Sequence, residues 1–498
     1  MHFNKIHELF DQRAAEEPNH PFLFLADGSV VTMDELASMV DALETELKAN
    51  NVRLGDRVLV VAENCPEHIA LVLACSRVGA WAAGVNARMT ASEVAAFDKK
   101  SDARVIYFTT SISCSAKAHA EEYSATSSVL PALQRTGARA LAAPETGELA
   151  ERVAAVIFTS GTTGEPKGVL LSHAGLLQFA KVSSESRKLT PQDRSYAYLP
   201  MTHIFGLGTV LMASLYARSG LLMRSKFDPA DVFEALAHHQ LTQLQGPPAM
   251  FTRLLAWLTT TGADHPAAPH LRYVYTGAAP LDMTLKRAVE VCFSLPLHHG
   301  YGLSEYAGVL AVCRLNEARN DTSAGYLVEG AELRIVNAGG FDLSIGETGE
   351  IWMRGVGLMP GYFRDPESTA KVINNEGWYA SGDLGRQDAD GALFVVGRQK
   401  EMIIRSGFNV YPGEVEAVLM TYAGVLRAAV VGRWEQDGNE EILAFIEPKA
   451  GAVIDTNALL AHANAHLAPY KRPARVTLVA EMPMTLSGKV LKRELLSL

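Results

Sequence analysis

Cysteine is scarce in this chain: Cys65, Cys75, Cys114, Cys292 and Cys313 are the only five in 498 residues. They form no CxxC pair, are odd in number and show no metal-ligand spacing. That excludes a disulfide-stapled scaffold and points to idle thiols in a reducing cytoplasm. A surplus of positive charge is also missing. With 45 basic and 55 acidic residues the net charge is -10, so nucleic acid and anionic membranes are not expected as general partners. The longest apolar run, Ile69 to Val85, is broken by Arg77 and Gly79, so no membrane span is expected. A signal-peptide core is absent too, because Lys5, Glu8 and Asp11 stand where it would lie. Internal repeats and low-complexity tracts are lacking. What remains is an ordinary globular composition, 48% hydrophobic and 20% charged. The length suits roughly two to four domains.

The apolar pattern divides the chain. Residues 4–15 and 33–49 have helical spacing, with Thr32 and Asp34 as start signals for the second. Short apolar runs at 58–61, 80–85 and 105–108 alternate with helical stretches at 66–78 and 91–99, as in a parallel α/β sheet. Residues 109–150 have few large apolar groups and read as surface connections. A second α/β stretch runs from about 170 to 310, with strands expected at 194–199, 220–224, 241–245 and 271–276. From about 325 to 397, short strands and close-set glycines read as a β-rich subdomain. A helix opened by Pro412 and Glu414, strands near 426–432, 441–447 and 474–480, and a helix near 456–467 make a small α+β unit. The expected fold class is therefore α/β: a large N-terminal domain, 1–398, holding two layered α/β sheets and the β-rich subdomain, then a small α+β domain, 399–498.

Against this background one loop stands out. Phe158-Thr159-Ser160-Gly161-Thr162-Thr163-Gly164-Glu165-Pro166-Lys167-Gly168 follows the apolar run 153–157 directly. Glycines let backbone N–H groups approach phosphate oxygens, the hydroxyls donate, and Lys167 adds a point charge. No Gly-Lys-Ser/Thr closes it, which excludes a Walker A loop. Alone, the loop indicates a triphosphate and no particular reaction. Tyr301-Gly302-Leu303-Ser304-Glu305 gathers a ring to stack on a base, a hydroxyl for a phosphate and a carboxylate for Mg²⁺. A structural turn with a core tyrosine is the alternative. Ser381-Gly382-Asp383-Leu384-Gly385 offers a carboxylate for two ribose hydroxyls or, equally, a plain Gly/Asp turn. Gly397-Arg398-Gln399-Lys400-Glu401 and the C-terminal Ser487-Gly488-Lys489 complete the set, with Tyr198 through Gly206 as a sixth segment.

In this order and spacing, over essentially the whole chain, these motifs resemble the adenylate-forming superfamily of acyl-CoA synthetases, aryl-CoA ligases, adenylation domains and luciferases. The resemblance implies that a carboxylate attacks the α-phosphorus of MgATP to give acyl-AMP and pyrophosphate, and that a thiol then displaces AMP. It implies that Thr159, Ser160, Gly161, Thr162, Thr163, Gly164 and Lys167 hold the β,γ-phosphates. Tyr301 would stack on adenine, with Gly302 beside it in the nucleotide site and Gly277, Ala278 and Ala279 along the base's other face. Ser304, where threonine is usual, would touch the α-phosphate; Glu305 would hold Mg²⁺; Asp383 would hold ribose and Arg398 ribose or phosphate. Lys489 would bridge the attacking carboxylate and the α-phosphate. Lys400 falls at the family's hinge, so the small domain is expected to rotate between half-reactions. Glu401 replaces the more usual aspartate beside it. Ser406, Gly407, Lys471 and Arg472 are candidates for the path of CoA.

The same resemblance puts His203, Gln245, Gly246, Tyr275, Gly300 and Ala307 around the acyl group. In malonate-activating relatives an arginine precedes the Tyr-Gly pair; here Gly300 stands there, which disfavours a dicarboxylic acid. Small and apolar wall residues suit a fatty or aromatic acid. The expected activity is an AMP-forming acyl-CoA synthetase using ATP, Mg²⁺ and CoA. The alternative is a stand-alone adenylation enzyme that loads a carrier protein's phosphopantetheine; the lack of a fused carrier domain favours free CoA. A nucleotide-binding protein without catalysis is disfavoured by the joint presence of Lys167, Glu305, Asp383, Arg398 and Lys489. The sequence makes no choice between monomer and homodimer.

Overall fold

Local chemistry sets the helix ends. Thr32 caps the helix Met33–Ala49, its hydroxyl accepting from the Glu35 N–H at 3.3 Å while the Glu35 carboxylate accepts from the Thr32 N–H at 2.8 Å. That helix buries Leu36, Val40, Leu43 and Leu47 along one face. The next helix, Pro66–Val78, opens on proline and stops at Gly79 in the left-handed region. The structure is a computed structural model describing residues 3–140, 143–159, 167–262, 265–405, 408–434, 440–485 and 489–497.

Two sheets form the large N-terminal domain. In the seven-stranded one, Val105–Phe108, Arg57–Ala62, Trp81–Asn86 and Val153–Thr159 lie parallel and fully inside, with antiparallel strands at both edges. The nine-stranded sheet has a parallel interior of Leu297–Leu303, Tyr273–Thr276, Gln243–Gly246, Arg194–Ala197, Gly220–Met223 and Pro21–Phe24. One apolar core runs across both sheets and reaches Ile351, Met353 and Leu393 of a four-stranded antiparallel sheet. That sheet, Ala331–Val336, Gly349–Gly355, Tyr379–Gln387 and Leu393–Arg398, is the expected β-rich subdomain. Helices Pro412–Met420 and Thr456–His466 pack with strands Val425–Trp434, Glu440–Pro448 and Arg475–Leu478 around a separate core in the small C-terminal domain.

Three features depart from the pattern read along the chain. The hairpin Pro21–Phe24 and Val30–Thr32 joins the nine-stranded sheet through Gly220–Met223, a long-range pairing with no local signal. Residues 109–150 carry a helix, Cys114–Glu122, and two short paired strands beside their connections. Phe205–Met212 is a π-helix. A Cβ at Gly206 would lie 2.2 Å from the Pro200 carbonyl oxygen, so this turn packs against the chain just before it only because residue 206 is glycine.

Candidate active site

The loops that follow the parallel strands gather at their C-terminal ends, where open α/β sheets form their clefts. Strand Val153–Thr159 turns back antiparallel as Lys167–Ser172, so Thr159 and Lys167 face each other as the hairpin's last pair. Ser160, Gly161, Thr162, Thr163 and Gly164 lie outside the described residues. Gly277-Ala278-Ala279 turns directly off Tyr273–Thr276, with Ala278 held at φ +68°, an unusual conformation for a residue with a Cβ.

Strand Leu297–Leu303 brings Tyr301 into the cleft. Its hydroxyl donates to Asp383 Oδ2 at 2.6 Å, and Arg398 Nε donates to Asp383 Oδ1 at 3.1 Å. Asp383 and Arg398 are register partners across two strands of the four-stranded sheet, so the two sheets meet at this carboxylate. Gly302 is required where it stands: a Cβ there would sit 1.7 Å from the Gly308 carbonyl oxygen. Gly302→Ala is expected to lower unfolding free energy by about 3 kcal/mol or more, because the obstacle is backbone, read as a fall in denaturant midpoint.

A single 3₁₀ turn, Ser304–Tyr306, follows and presents a buried Ser304 and a half-buried Glu305. The Tyr362 hydroxyl donates to Glu305 Oε1 at 3.1 Å, and burial pushes the Glu305 carboxyl above its usual range. Among the described residues no group of three or more His, Cys, Asp or Glu could cage a metal. A lone carboxylate fits Mg²⁺, which is held by one or two carboxylates with phosphates and water.

Lys489 reaches this cleft from the small domain. Its N–H donates to Thr485 Oγ1 at 3.0 Å and its carbonyl accepts from the Thr485 N–H at 2.7 Å, so its backbone is fixed against Thr485. Lys492, three residues on, anchors the segment by bonding Glu401 at 2.9 Å and Glu416 at 2.8 Å. Burial, then the Arg398 guanidinium, hold the Lys489 ammonium below its ordinary range, while Asp383, Glu305 and Glu401 pull it back up. Burial, with Lys489 adding to it, lowers His203 to about 4, so its imidazole is neutral near pH 7. The His203 Nδ1 accepts from the Phe205 N–H at 3.2 Å, which assigns the ring proton to Nε2.

The six acyl-wall candidates do not share one face. The Tyr275 hydroxyl lies 2.3 Å from where a Gly300 Cβ would be, and Phe205 meets the Tyr275 ring edge-on at 6.0 Å. Gln245 Oε1 accepts from the buried Arg187 Nη1 at 2.6 Å. Gly246 turns the other way, toward Tyr198 and Met250, and Ala307 lies against Gly175. Arg187 brings a cation close behind Gln245, yet its other donors already go to Ser183 and the Thr209 carbonyl. His299 holds the Thr322 carbonyl at 3.1 Å. Lys400 is exposed in the turn Gln399–Glu401 between the four-stranded sheet and the small domain. Lys471 pairs with Glu414, and Arg472 Nε donates to the Leu467 carbonyl at 3.0 Å; Ser406 and Gly407 lie outside the described residues.

Tyr362, Tyr379 and Arg187 join the cleft without having been singled out in the sequence, whereas Phe205 lies inside the segment from Tyr198 to Gly206 that was. A lone tyrosine or arginine carries no local mark of its distant partner.

A large α/β domain whose cleft gathers Tyr301, Glu305, Asp383 and Arg398, with Lys489 supplied by a small C-terminal domain, defines a two-domain α/β protein with a charged cleft. The AMP-binding enzyme model matches residues 10–363, and the AMP-binding enzyme C-terminal domain matches 414–489. The chain belongs to the AMP-binding enzyme family. It is 31% identical to an indoleacetate–CoA ligase of Aromatoleum aromaticum over 98% of this chain and 97% of that one. A feruloyl-CoA synthase of an Amycolatopsis species is 33% identical, covering 97% and 96%. Among solved structures, ATP-bound MatB from Rhodopseudomonas palustris superposes with a TM-score of 0.85 at 28% identity, over 99% of this chain and 98% of that one.

Proposed function

We propose that the protein activates a monocarboxylic aromatic acid with ATP and passes the acyl group to CoA. One observation carries this reading: Lys489 of the small domain is buried in the field of Glu305, Asp383 and Arg398, and its charge reaches His203. That is where a cation is needed if a carboxylate is to approach an α-phosphate. In the first step a carboxylate oxygen bonds to the α-phosphorus, the bond to the β-phosphate's bridging oxygen breaks, and pyrophosphate leaves. Lys489 neutralises the two converging anions. Asp383, steadied by Tyr301, accepts the ribose hydroxyls, with Arg398 alongside. Lys167 and the loop after Thr159 hold the departing phosphates, Ser304 the α-phosphate, and Gly277, Ala278 and Ala279 flank the base. Glu305 is the residue to hold Mg²⁺, which supplies charge neutralisation to the phosphates when bound. In the second step the thiol sulfur bonds to the acyl carbon, the carbon–oxygen bond to AMP breaks, and the thiol proton is released.

The aromatic preference rests on the Tyr275 ring beside Gly300, with Phe205 edge-on to it, and on relatives whose names give aryl acids. We further place the domain junction near Arg398, with Lys400 as the pivot, and the protein in a reducing cytoplasm. Its five cysteines are free, four of them buried, and no described helix is long and apolar enough to cross a membrane.

A panel of acids tests the reading through pyrophosphate release with and without CoA. Arylacetic and hydroxycinnamic acids are expected to exceed straight-chain fatty acids by about tenfold or more in kcat/KM, with CoA stimulating turnover. Stimulation by a carrier protein alone would move the assignment to carrier loading.

A further inference from the structure

A short strap, Met359 to Phe363, ties together two parts of the cleft that arrive from different sheets. At one end the Met359 N–H donates to the Glu305 carbonyl at 2.8 Å. At the other, the Phe363 N–H donates to the Gly168 carbonyl at 2.7 Å and the Gly361 carbonyl accepts from the Leu170 N–H at 3.2 Å. Val169 and Tyr362 form the bridge between them, so the strap lies along the strand that begins at Lys167. Tyr362 is fixed at its backbone as well, its N–H donating to Thr369 Oγ1 at 2.9 Å.

The Tyr362 side chain makes two contacts at once. Its ring lies under the Lys167 ammonium, 4.8 Å from nitrogen to centroid, and its hydroxyl donates to Glu305 Oε1 at 3.1 Å. Behind it the Tyr379 phenol stands close enough to interact with the Tyr362 hydroxyl, each raising or lowering the other's acidity. Tyr379 is buried and belongs to the strand that also carries Asp383. The chain of contacts thus runs from the ribose strand, through two phenols, to the carboxylate, with the phosphate-side lysine resting on the middle ring.

We propose that Tyr362, backed by Tyr379, is a positioning residue that fixes the Glu305 carboxylate for the nucleotide's metal ion and seats Lys167 for its phosphates. The proposal rests on the reading of this cleft as the ATP site. A half-buried carboxylate on a three-residue turn has several rotamers open to it. One donor on Oε1 from a backbone-fixed phenol selects among them, and a carboxylate already in place binds a metal without first ordering itself. A cation resting on an aromatic face is held by the ring quadrupole yet is easily drawn off by a stronger anion, which suits a lysine that must meet phosphates.

Titration calorimetry of ATP binding, with and without Mg²⁺, separates the two contacts and needs no turnover. Tyr362→Phe keeps the ring and removes the hydroxyl. It is expected to weaken MgATP binding about tenfold and to leave metal-free ATP binding within about twofold of wild type. Tyr362→Leu also removes the ring and should weaken metal-free ATP binding about threefold. Tyr379→Phe, which leaves Tyr362 in place, should show the Mg²⁺-specific loss at about threefold and serves if either Tyr362 variant fails to fold. Equal losses with and without Mg²⁺ for Tyr362→Phe, or no loss at all, would overturn the proposal, as would a Tyr379→Phe protein with wild-type MgATP affinity. Absence of acid-dependent pyrophosphate release by the wild type would instead remove the ligase reading, while the Mg²⁺-dependent binding difference would still report on Tyr362.

Discussion

Lys489→Ala reduces acid-dependent pyrophosphate release by about a thousandfold or more, while the same protein still converts supplied acyl-AMP and CoA to thioester. The first half follows from charge. The acid and the α-phosphate are both anions, and the cation that reaches the cleft from the small domain is Lys489. Arg398 is no substitute, because its guanidinium is already bonded to Asp383 at 3.1 Å. Removing one well-placed charge stabiliser from a water-poor site costs two to three orders of magnitude, and here the repulsion between two anions is added. The second half follows from position. Lys489 belongs to the small domain, whose rotation about Lys400 is part of the proposal, and the thioester step needs no bridge between carboxylate and phosphate. The pH profile gives a second reading. The free enzyme's ammonium titrates below the ordinary lysine range, so kcat/KM for adenylation should fall as pH rises through that lowered value. Bound ATP adds negative charge and raises it, so the alkaline limb of kcat should lie higher. Lys489→Arg should flatten the kcat/KM limb. Wild-type pyrophosphate release by Lys489→Ala would sink the assignment.

What could be read along the chain and what could not divides by the range of the interaction. Helix and strand positions follow from local pattern and capping, as at Thr32 and Gly79, and the expected helix at 33–49 is observed as Met33–Ala49. The motif residues were visible because each carries a chemically loaded side chain in a glycine-rich setting, and the fold brings Tyr301, Asp383, Arg398, Glu305 and Lys489 into one cleft. Tyr362 was hidden, because its partners lie 57 positions away at Glu305 and, through its ring, at Lys167. The acyl wall shows a different limit. Gln245 and Gly246 are neighbours in sequence, but successive residues on a strand point to opposite faces, so Gln245 meets Arg187 while Gly246 meets Met250. Arg187, 2% exposed, sits on a helix among Ser183 and Ser184, where nothing local sets a buried guanidinium apart from a surface one.

Asp383→Ala should raise the KM for ATP about a hundredfold, with a smaller fall in kcat. Asp383 is 9% exposed and its carboxylate receives donors on both oxygens, Tyr301 from one sheet and Arg398 from the neighbouring strand. Truncation takes away the proposed ribose acceptor and also leaves the half-buried Tyr301 hydroxyl without its acceptor, a cost that falls on the free enzyme and the complex alike. Asp383→Asn separates charge from hydrogen bonding. It keeps one acceptor oxygen for Tyr301 and loses the anion, so its KM should lie between wild type and alanine. The two variants should agree on a further effect. Asp383 is one of the carboxylates that pull the Lys489 ammonium back toward its ordinary range, so neutralising it lowers that lysine further. The alkaline limb of kcat/KM should therefore move to lower pH in both Asp383→Ala and Asp383→Asn. The Lys489→Arg background should remove the shift, because a guanidinium stays protonated throughout. An ATP KM within about threefold of wild type for Asp383→Ala would remove Asp383 from the nucleotide site. A raised KM with an unmoved alkaline limb would keep it there but break its electrostatic link to the lysine of the small domain.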